Sequence, residues 1–397
     1  MSFISERVKQ IKPSATLAIT AKAKAMKASG IDIVSFGAGE PDFDTPDNIK
    51  EAAHNAIRSG FTKYTAVGGT DELKEAIAAR MKEDCHVEYA LNNIIASCGG
   101  KHSLYNIFQA IINPGDEVII PSPYWVSYPD MVLLAGGKPV IVDCHEETGF
   151  KMQPHQLSSL ITEKTKAIVI NSPSNPTGAA YTEDDLKALA EIAVNNNLLV
   201  ISDEIYNRIS YNNFKVVSMA SLGEEIRKLT LVVNGVSKTY SMTGWRIGYV
   251  AGDEEIVKAM NKIQAQSTSN PTSISQAAAI EALIGPQAPA EEMVSHFEKR
   301  KDYIVQELNA INGVTCFDPQ GAFYAFPNVS SYFGKSHGGD EIKNSADMTR
   351  YLLEEAKVAV VPGGEFGAEG YIRLSYATSM ENIEKGLKRI KEALASL

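Results

Sequence analysis

Lys238 lies in Asn234-Gly235-Val236-Ser237-Lys238-Thr239-Tyr240-Ser241-Met242-Thr243-Gly244-Trp245-Arg246, directly after the apolar run Leu229 to Val233. The run reads as a buried strand that feeds a lysine into a loop of small and hydroxylated residues, with an arginine eight positions on. An amine so placed suits a Schiff base to the aldehyde of pyridoxal phosphate, and Ser237 and Arg246 are suited to hold the phosphate. Alone, a loop lysine is more often a solvated surface charge. What accompanies it decides the reading.

Asp203 closes a second short apolar run, Leu198 to Ile201, and is followed by Glu204-Ile205-Tyr206. A carboxylate at the C-terminal end of a strand is where open α/β sheets present ligands. Pyridoxal chemistry needs such an acid beside the ring nitrogen, because a protonated ring draws electrons from the substrate Cα. Tyr206 is then suited to hydrogen-bond the ring hydroxyl; a helix-capping aspartate with a packing tyrosine is the competing structural reading. A third run, Ala167 to Ile170, ends in Asn171-Ser172-Pro173-Ser174-Asn175-Pro176-Thr177-Gly178, a fixed turn that can aim Asn175 at the same hydroxyl. Asn-Pro and Thr-Gly are also ordinary loop punctuation. Three successive strand ends each offering a group that one cofactor needs favour the functional reading.

With these motifs the chain resembles the class I, fold-type I, pyridoxal-phosphate aminotransferases, in particular their bacterial aspartate and aspartate/prephenate branch. The resemblance spans nearly the whole chain, adding Lys12-Pro13-Ser14-Ala15-Thr16, Gly37 to Pro46, Lys63-Tyr64, Gly99-Gly100-Lys101, Ser122-Pro123-Tyr124-Trp125 and Tyr371 to Tyr376. It implies Lys238 as the cofactor-linking and proton-moving amine, Asp203 at the ring nitrogen, Tyr206 and Asn175 at the ring oxygen, and Trp125 stacked on the ring. Arg246, Ser237, Gly99 and Gly100 would face the phosphate, and Gly39 and Arg373 the substrate α-carboxylate. Lys101 is assigned to cofactor and distal carboxylate, Lys12 to prephenate use, and Thr16 to substrate. Tyr64 would reach the phosphate in the partner subunit of a homodimer with composite sites. One departure is visible: Gly235 stands where many relatives carry serine, which leaves more of the phosphate to Ser237 and backbone amides.

Arg373 sits in the alternating stretch Tyr371-Ile372-Arg373-Leu374-Ser375-Tyr376, where a planar guanidinium matches a carboxylate; a structural ion pair is the alternative. Cys98-Gly99-Gly100-Lys101-His102 looks superficially like a nucleotide-binding loop. It lacks the upstream glycine, and His102 replaces the required Ser/Thr. Its strand-to-helix position instead offers backbone N–H groups to a phosphate.

The chain has 397 residues and a net charge of -10, which permits two or three domains and argues against nucleic-acid or acidic-membrane surfaces. Cysteines 85, 98, 144 and 316 form no CxxC and no metal-ligand spacing, so reduced thiols and no metal site are expected. With no apolar run of membrane-spanning length and no signal-peptide pattern in Met1 to Gln10, a cytoplasmic protein is expected.

Strands are predicted at 94–97, 117–120, 139–142, 167–170, 198–202, 229–233 and 246–250, with helical patterns between several of them. Thr182 and Asp185 predict a capping box opening one such helix. The expected fold is α/β: a mainly parallel seven-stranded sheet with helices on both faces, plus a smaller α+β domain. Residues 49–284 would form the large cofactor-binding domain and 285–397 the small one, with 1–48 as an arm and part of the small domain. Residues 328–345 read as a solvated surface loop. Three functions stay open on sequence: aspartate:2-oxoglutarate transamination with prephenate as a further substrate; another pyridoxal reaction, such as aromatic transamination or β-elimination; and a non-catalytic pyridoxal-binding regulator.

Overall fold

The computed structural model describes residues 3–13 and 15–397, with the side chains of residues 15–17 and 20 outside the description. Seven strands form the central sheet: β1 (Ile94–Ser97), β2 (Glu117–Ser122), β3 (Lys138–Asp143), β4 (Thr165–Asn171), β5 (Leu199–Asp203), β6 (Thr230–Gly235) and β7 (Gly248–Ala251). Their order is β1-β7-β6-β5-β4-β2-β3, parallel throughout except that β7 runs antiparallel to both of its neighbours. Each strand lies within two residues of its predicted position.

The sheet forms because its strands alternate between two buried faces. Ile119, Ile168, Ile170 and Val200 pack under helix α3 (Glu183–Asn195). Val118, Ile120, Val169 and Ile201 point the other way, toward α1 (Gly100–Ile111), α2 (Ser127–Leu134) and α4 (Glu254–Ser267). Apolar side chains on both faces are what a parallel sheet covered on two sides requires. Helix α3 opens as predicted, with Thr182 Oγ1 accepting from the Asp185 N–H and the Asp185 carboxylate accepting from the Thr182 N–H.

The C-terminal part is built on a three-stranded antiparallel sheet of β8 (Tyr324–Ala325), β9 (Val361–Pro362) and β10 (Ile372–Ser375), with β10 in the middle. Val34–Ser35 pairs in parallel with Val358–Ala359, which ties the N-terminal segment to this part of the chain. The charged run that begins at Ala290 falls in the helix α5 (Ala288–Asn309). Residues 328–345 depart from a plain solvated loop: Ser336–His337 pairs with Asp340–Glu341, and Tyr332 and Ile342 are buried. Two apolar anchors inside a polar stretch carry too little periodicity to be read locally. Among the described residues no helix is long and apolar enough to cross a membrane.

One close approach couples the sheet to the loop that precedes α1. A Cβ on Gly248 of β7 would fall 2.2 Å from the Gly100 nitrogen and 2.4 Å from the Gly99 carbonyl carbon. Any side chain there must push the 98–100 turn off the sheet. Gly248→Ala is therefore expected to destabilise the protein by about 2 kcal/mol through overpacking against backbone. A thermal-denaturation midpoint equal to that of the wild type would refute it.

Candidate active site

The parallel register sets the site. Asn171 at the end of β4 lies opposite Asp203 at the end of β5, and Asp203 opposite Val233 of β6, two residues before the strand gives way to the Lys238 loop. Side chains from these three ends face one cavity of about 350 Å³. Its walls hold Gly39, Gly100, Lys101, Trp125, Asn175, Asp203, Tyr206, Ser237, Lys238, Arg246 and Arg373, so eleven of the predicted residues meet in one place.

Lys238 Nζ donates to the Gly39 carbonyl at 2.5 Å. Burial lowers its pKa to about 8; the Glu40 charge opposes the shift, and Arg373 and Arg246 add to it. Asp203 is 5% exposed, and burial raises its pKa to about 6. The rise is restrained first by the Tyr128 hydroxyl, which donates to Asp203 Oδ2 at 2.5 Å, then by the Ile205 N–H and the Lys238 charge. A 2.5 Å O–H···O contact is in the range of hydrogen bonds to an ionised acid.

Arg373 is 2% exposed. One terminal nitrogen donates to Asn175 Oδ1 at 2.9 Å, the other to the Gly37 carbonyl at 2.9 Å, and Nε has no partner. Burial lowers its pKa, and no carboxylate among the described residues pairs with it. A buried cation left so is costly unless an anion arrives. A second guanidinium, that of Arg246, lines the same cavity. Gly99, at φ +92°, precedes the first turn of α1, and a Cβ on it would fall 2.2 Å from Arg246 Nη2. Arg246 is held by the Thr243 and Cys98 carbonyls at 2.8 and 3.2 Å. Backbone N–H groups of a helix start beside a guanidinium and Ser237 are suited to a phosphate. An aldehyde-accepting amine, an acid, groups suited to a phosphate and a carboxylate-binding arginine together fit a phosphorylated pyridine aldehyde.

The model of aminotransferase classes I and II matches residues 31–390. The chain belongs to the class I and II aminotransferase family. It is 53% identical to the probable aspartate/prephenate aminotransferase of Rickettsia bellii over the full length of both chains. It is 52% identical to the aspartate aminotransferase of Bacillus subtilis over 98% of each. The crystal structure of the aspartate aminotransferase from Rhizobium meliloti superposes with a TM-score of 0.96 at 45% identity, covering 100% of this chain and 99% of that one. The Thermus thermophilus aspartate aminotransferase with maleate superposes at 0.93 and 43% identity, over 99% and 100%.

Within this aminotransferase chain, four predicted residues lie apart from the cavity walls or outside the description. Tyr64 is 90% exposed and is not among the residues that line the cavity. Lys12 is exposed and not among the cavity-lining residues; its backbone N–H donates to the Asp130 carboxylate, on which its charge acts as well. Gly99 acts from behind, as the backbone against which Arg246 lies. The Thr16 side chain lies outside the described residues. Gly235 has a packing reason, since a Cβ there would come within 2.9 Å of the Ile247 carbonyl of the paired strand region. Sequence reasoning missed Tyr128, whose motif ended at Trp125, and Tyr324, which sits in a two-residue strand with no local signature.

The two perturbed groups give two pH limbs, both rising with pH but in different intervals. Lys238 reacts with an aldehyde only as the free amine, so borohydride trapping of pyridoxal phosphate on the apoprotein should quicken as pH rises through about 8. A rate flat across that interval would exclude Lys238 as the reacting group. Asp203 would pair with a protonated pyridine ring only when ionised, so equilibrium affinity for pyridoxal phosphate should fall as pH drops below about 6. Tyr128→Phe should move that fall upward, because it removes a donor that favours the carboxylate.

Proposed function

We propose that the protein is a pyridoxal-phosphate-dependent aspartate aminotransferase that uses 2-oxoglutarate as acceptor. The observation that carries this is Arg373 with its unpaired Nε, facing the same cavity as the Lys238 amine and the Asp203 carboxylate. Bound there, the cofactor supplies an electron sink for the pair released when the substrate Cα loses its proton.

The chain's own residues divide the remaining work. Arg246, Ser237, Gly99, Gly100 and Lys101 would hold the phosphate, and Trp125 the ring face. Asp203, kept ionised by Tyr128, would hold the ring nitrogen protonated, while Tyr206 and Asn175 would bind the ring oxygen. Arg373 and Gly39 would fix the amino-acid carboxylate, with Asn175 buttressing the guanidinium. That clamp turns the Cα–H bond toward Lys238 Nζ, whose lowered pKa suits it to take the proton as a base near neutrality. Lys101, with its ammonium 4.9 Å from the centre of the Trp125 ring, would meet the distal carboxylate of a dicarboxylic substrate. Support for that class of substrate comes from the relatives' names and from maleate, a dicarboxylate, in the Thermus thermophilus complex.

Prephenate is the second reading, favoured by the name of the Rickettsia bellii relative and by Lys12 lying beside Asp130, a carboxylate on which Lys101 of the cavity wall also acts. We further propose a cytoplasmic homodimer in which the exposed Tyr64 completes the phosphate site of the partner subunit. The division into 49–284 and 285–397, with the N-terminal segment joined to the latter, is supported by the Val34–Val358 pairing.

Lys238→Ala should still bind pyridoxal phosphate reversibly, yielding no borohydride-fixed product and losing turnover by more than about 10³-fold. Substantial activity in that variant would overturn the mechanism. A panel of amino donors with 2-oxoglutarate should place aspartate first, and Lys101→Ala should raise KM for aspartate while sparing alanine; equal loss on both donors would return Lys101 to a cofactor role. Sedimentation at assay concentration should give a dimer, and a fully active monomer would refute the shared site.

A further inference from the structure

Tyr324 is 1% exposed and lines the cavity from β8, where it pairs with Ser375 two residues after Arg373. Three contacts meet at its side chain. Its hydroxyl lies 2.8 Å from the Tyr206 hydroxyl. Its ring carries the Arg373 guanidinium at 4.6 Å from the centroid. A Cβ on Gly39, whose carbonyl holds Lys238, would stand 3.1 Å from its oxygen.

The phenol pair shares one hydrogen bond in which either oxygen can donate. Each hydroxyl has a single proton. If Tyr206 spends its proton on the cofactor's ring oxygen, its own oxygen is left to accept, and Tyr324 must be the donor. A donor behind a phenol polarises it and strengthens the bond that phenol gives onward. The ring of Tyr324 meanwhile gives Arg373 a flat floor, which fixes the plane of the guanidinium.

We propose that Tyr324 is a positioning residue that joins the two halves of the site: its hydroxyl sets the direction and donor strength of Tyr206, and its ring holds Arg373 for the substrate carboxylate. The inference rests on the pyridoxal-phosphate reading above. Tyr206 is faced as well by the charges of Asp203 and Arg373, by the Tyr128 phenol, and by Lys238, whose Nζ is 6.0 Å from its ring centroid. None of these changes when Tyr324 loses only its hydroxyl.

The test uses holoenzyme and two substitutions that separate hydroxyl from ring. Tyr324→Phe keeps the floor under Arg373. It should weaken cofactor binding about threefold and raise by about half a pH unit the midpoint at which bound-cofactor absorbance changes, with KM for the amino acid unchanged. Tyr324→Leu removes the floor too and should in addition raise that KM about tenfold. In a Tyr206→Phe background, Tyr324→Phe should change neither affinity nor midpoint further. The proposal is overturned if Tyr324→Phe leaves both at wild-type values, if its midpoint falls, or if its effect persists in the Tyr206→Phe background. The wild-type holoenzyme spectrum checks the cofactor reading separately, so failure of that reading is not mistaken for failure of this one.

Discussion

The cavity contains more positive charge than the chain neutralises. Lys101, Lys238, Arg246 and Arg373 line one partly desolvated space, and none of them is ion-paired to a carboxylate among the described residues. Three are held instead by neutral oxygens: Gly39 for Lys238, Thr243 and Cys98 for Arg246, Gly37 and Asn175 for Arg373. A carbonyl orients a cation without cancelling its field. The geometry is thus kept in place while the potential remains available to anions, which is the electrostatic preorganisation that catalysis exploits. Burial does most to lower the Lys238 pKa, and the Arg373 and Arg246 charges add to it.

Asp203 poses the reverse problem, a carboxylate with little water around it. It is kept ionised by a buried phenol from the helical segment Ser127–Leu134, which follows β2, and by the Ile205 N–H. Its position follows from the register of β4 and β5, which sets Asn171 opposite Asp203 and brings an Asn171 side-chain N–H to the Asp203 carbonyl at 2.9 Å. A one-residue slip would turn the acid to the other face. The sheet therefore acts as a ruler for charge placement as well as a core.

The segment from Gly37 to Thr45 ties the opposite wall. Glu40 accepts from Thr243, Thr45 links the Ser241 carbonyl to the Trp245 indole, and Asp42 takes two bonds from Arg300 at 2.6 and 3.0 Å. The strap thus touches both the Lys238 loop and helix α5. Its glycines expose the carbonyls that hold Arg373 and Lys238, so the cations at the reacting centre depend on how this strap is anchored.

The seven strands and the residues at their ends were legible in the sequence because period-2 apolar runs and terminal polar residues are local signals. So was the Thr182 cap. The 328–345 stretch was misread because Tyr332 and Ile342 are isolated anchors. Lys12 and Tyr64 were named by resemblance alone, and within a single chain their side chains lie outside the cavity. By itself the sequence determined which chemical groups the site has and that parallel strand ends would present Asn175, Asp203 and Lys238. Only the tertiary structure decided that Tyr128 would back Asp203, that Tyr324 would bridge Tyr206 and Arg373, and that Arg373 Nε would be left unpaired. These contacts join residues from 49 (Tyr324 to Arg373) to 118 (Tyr206 to Tyr324) positions apart, and no local periodicity records what a side chain meets across a fold.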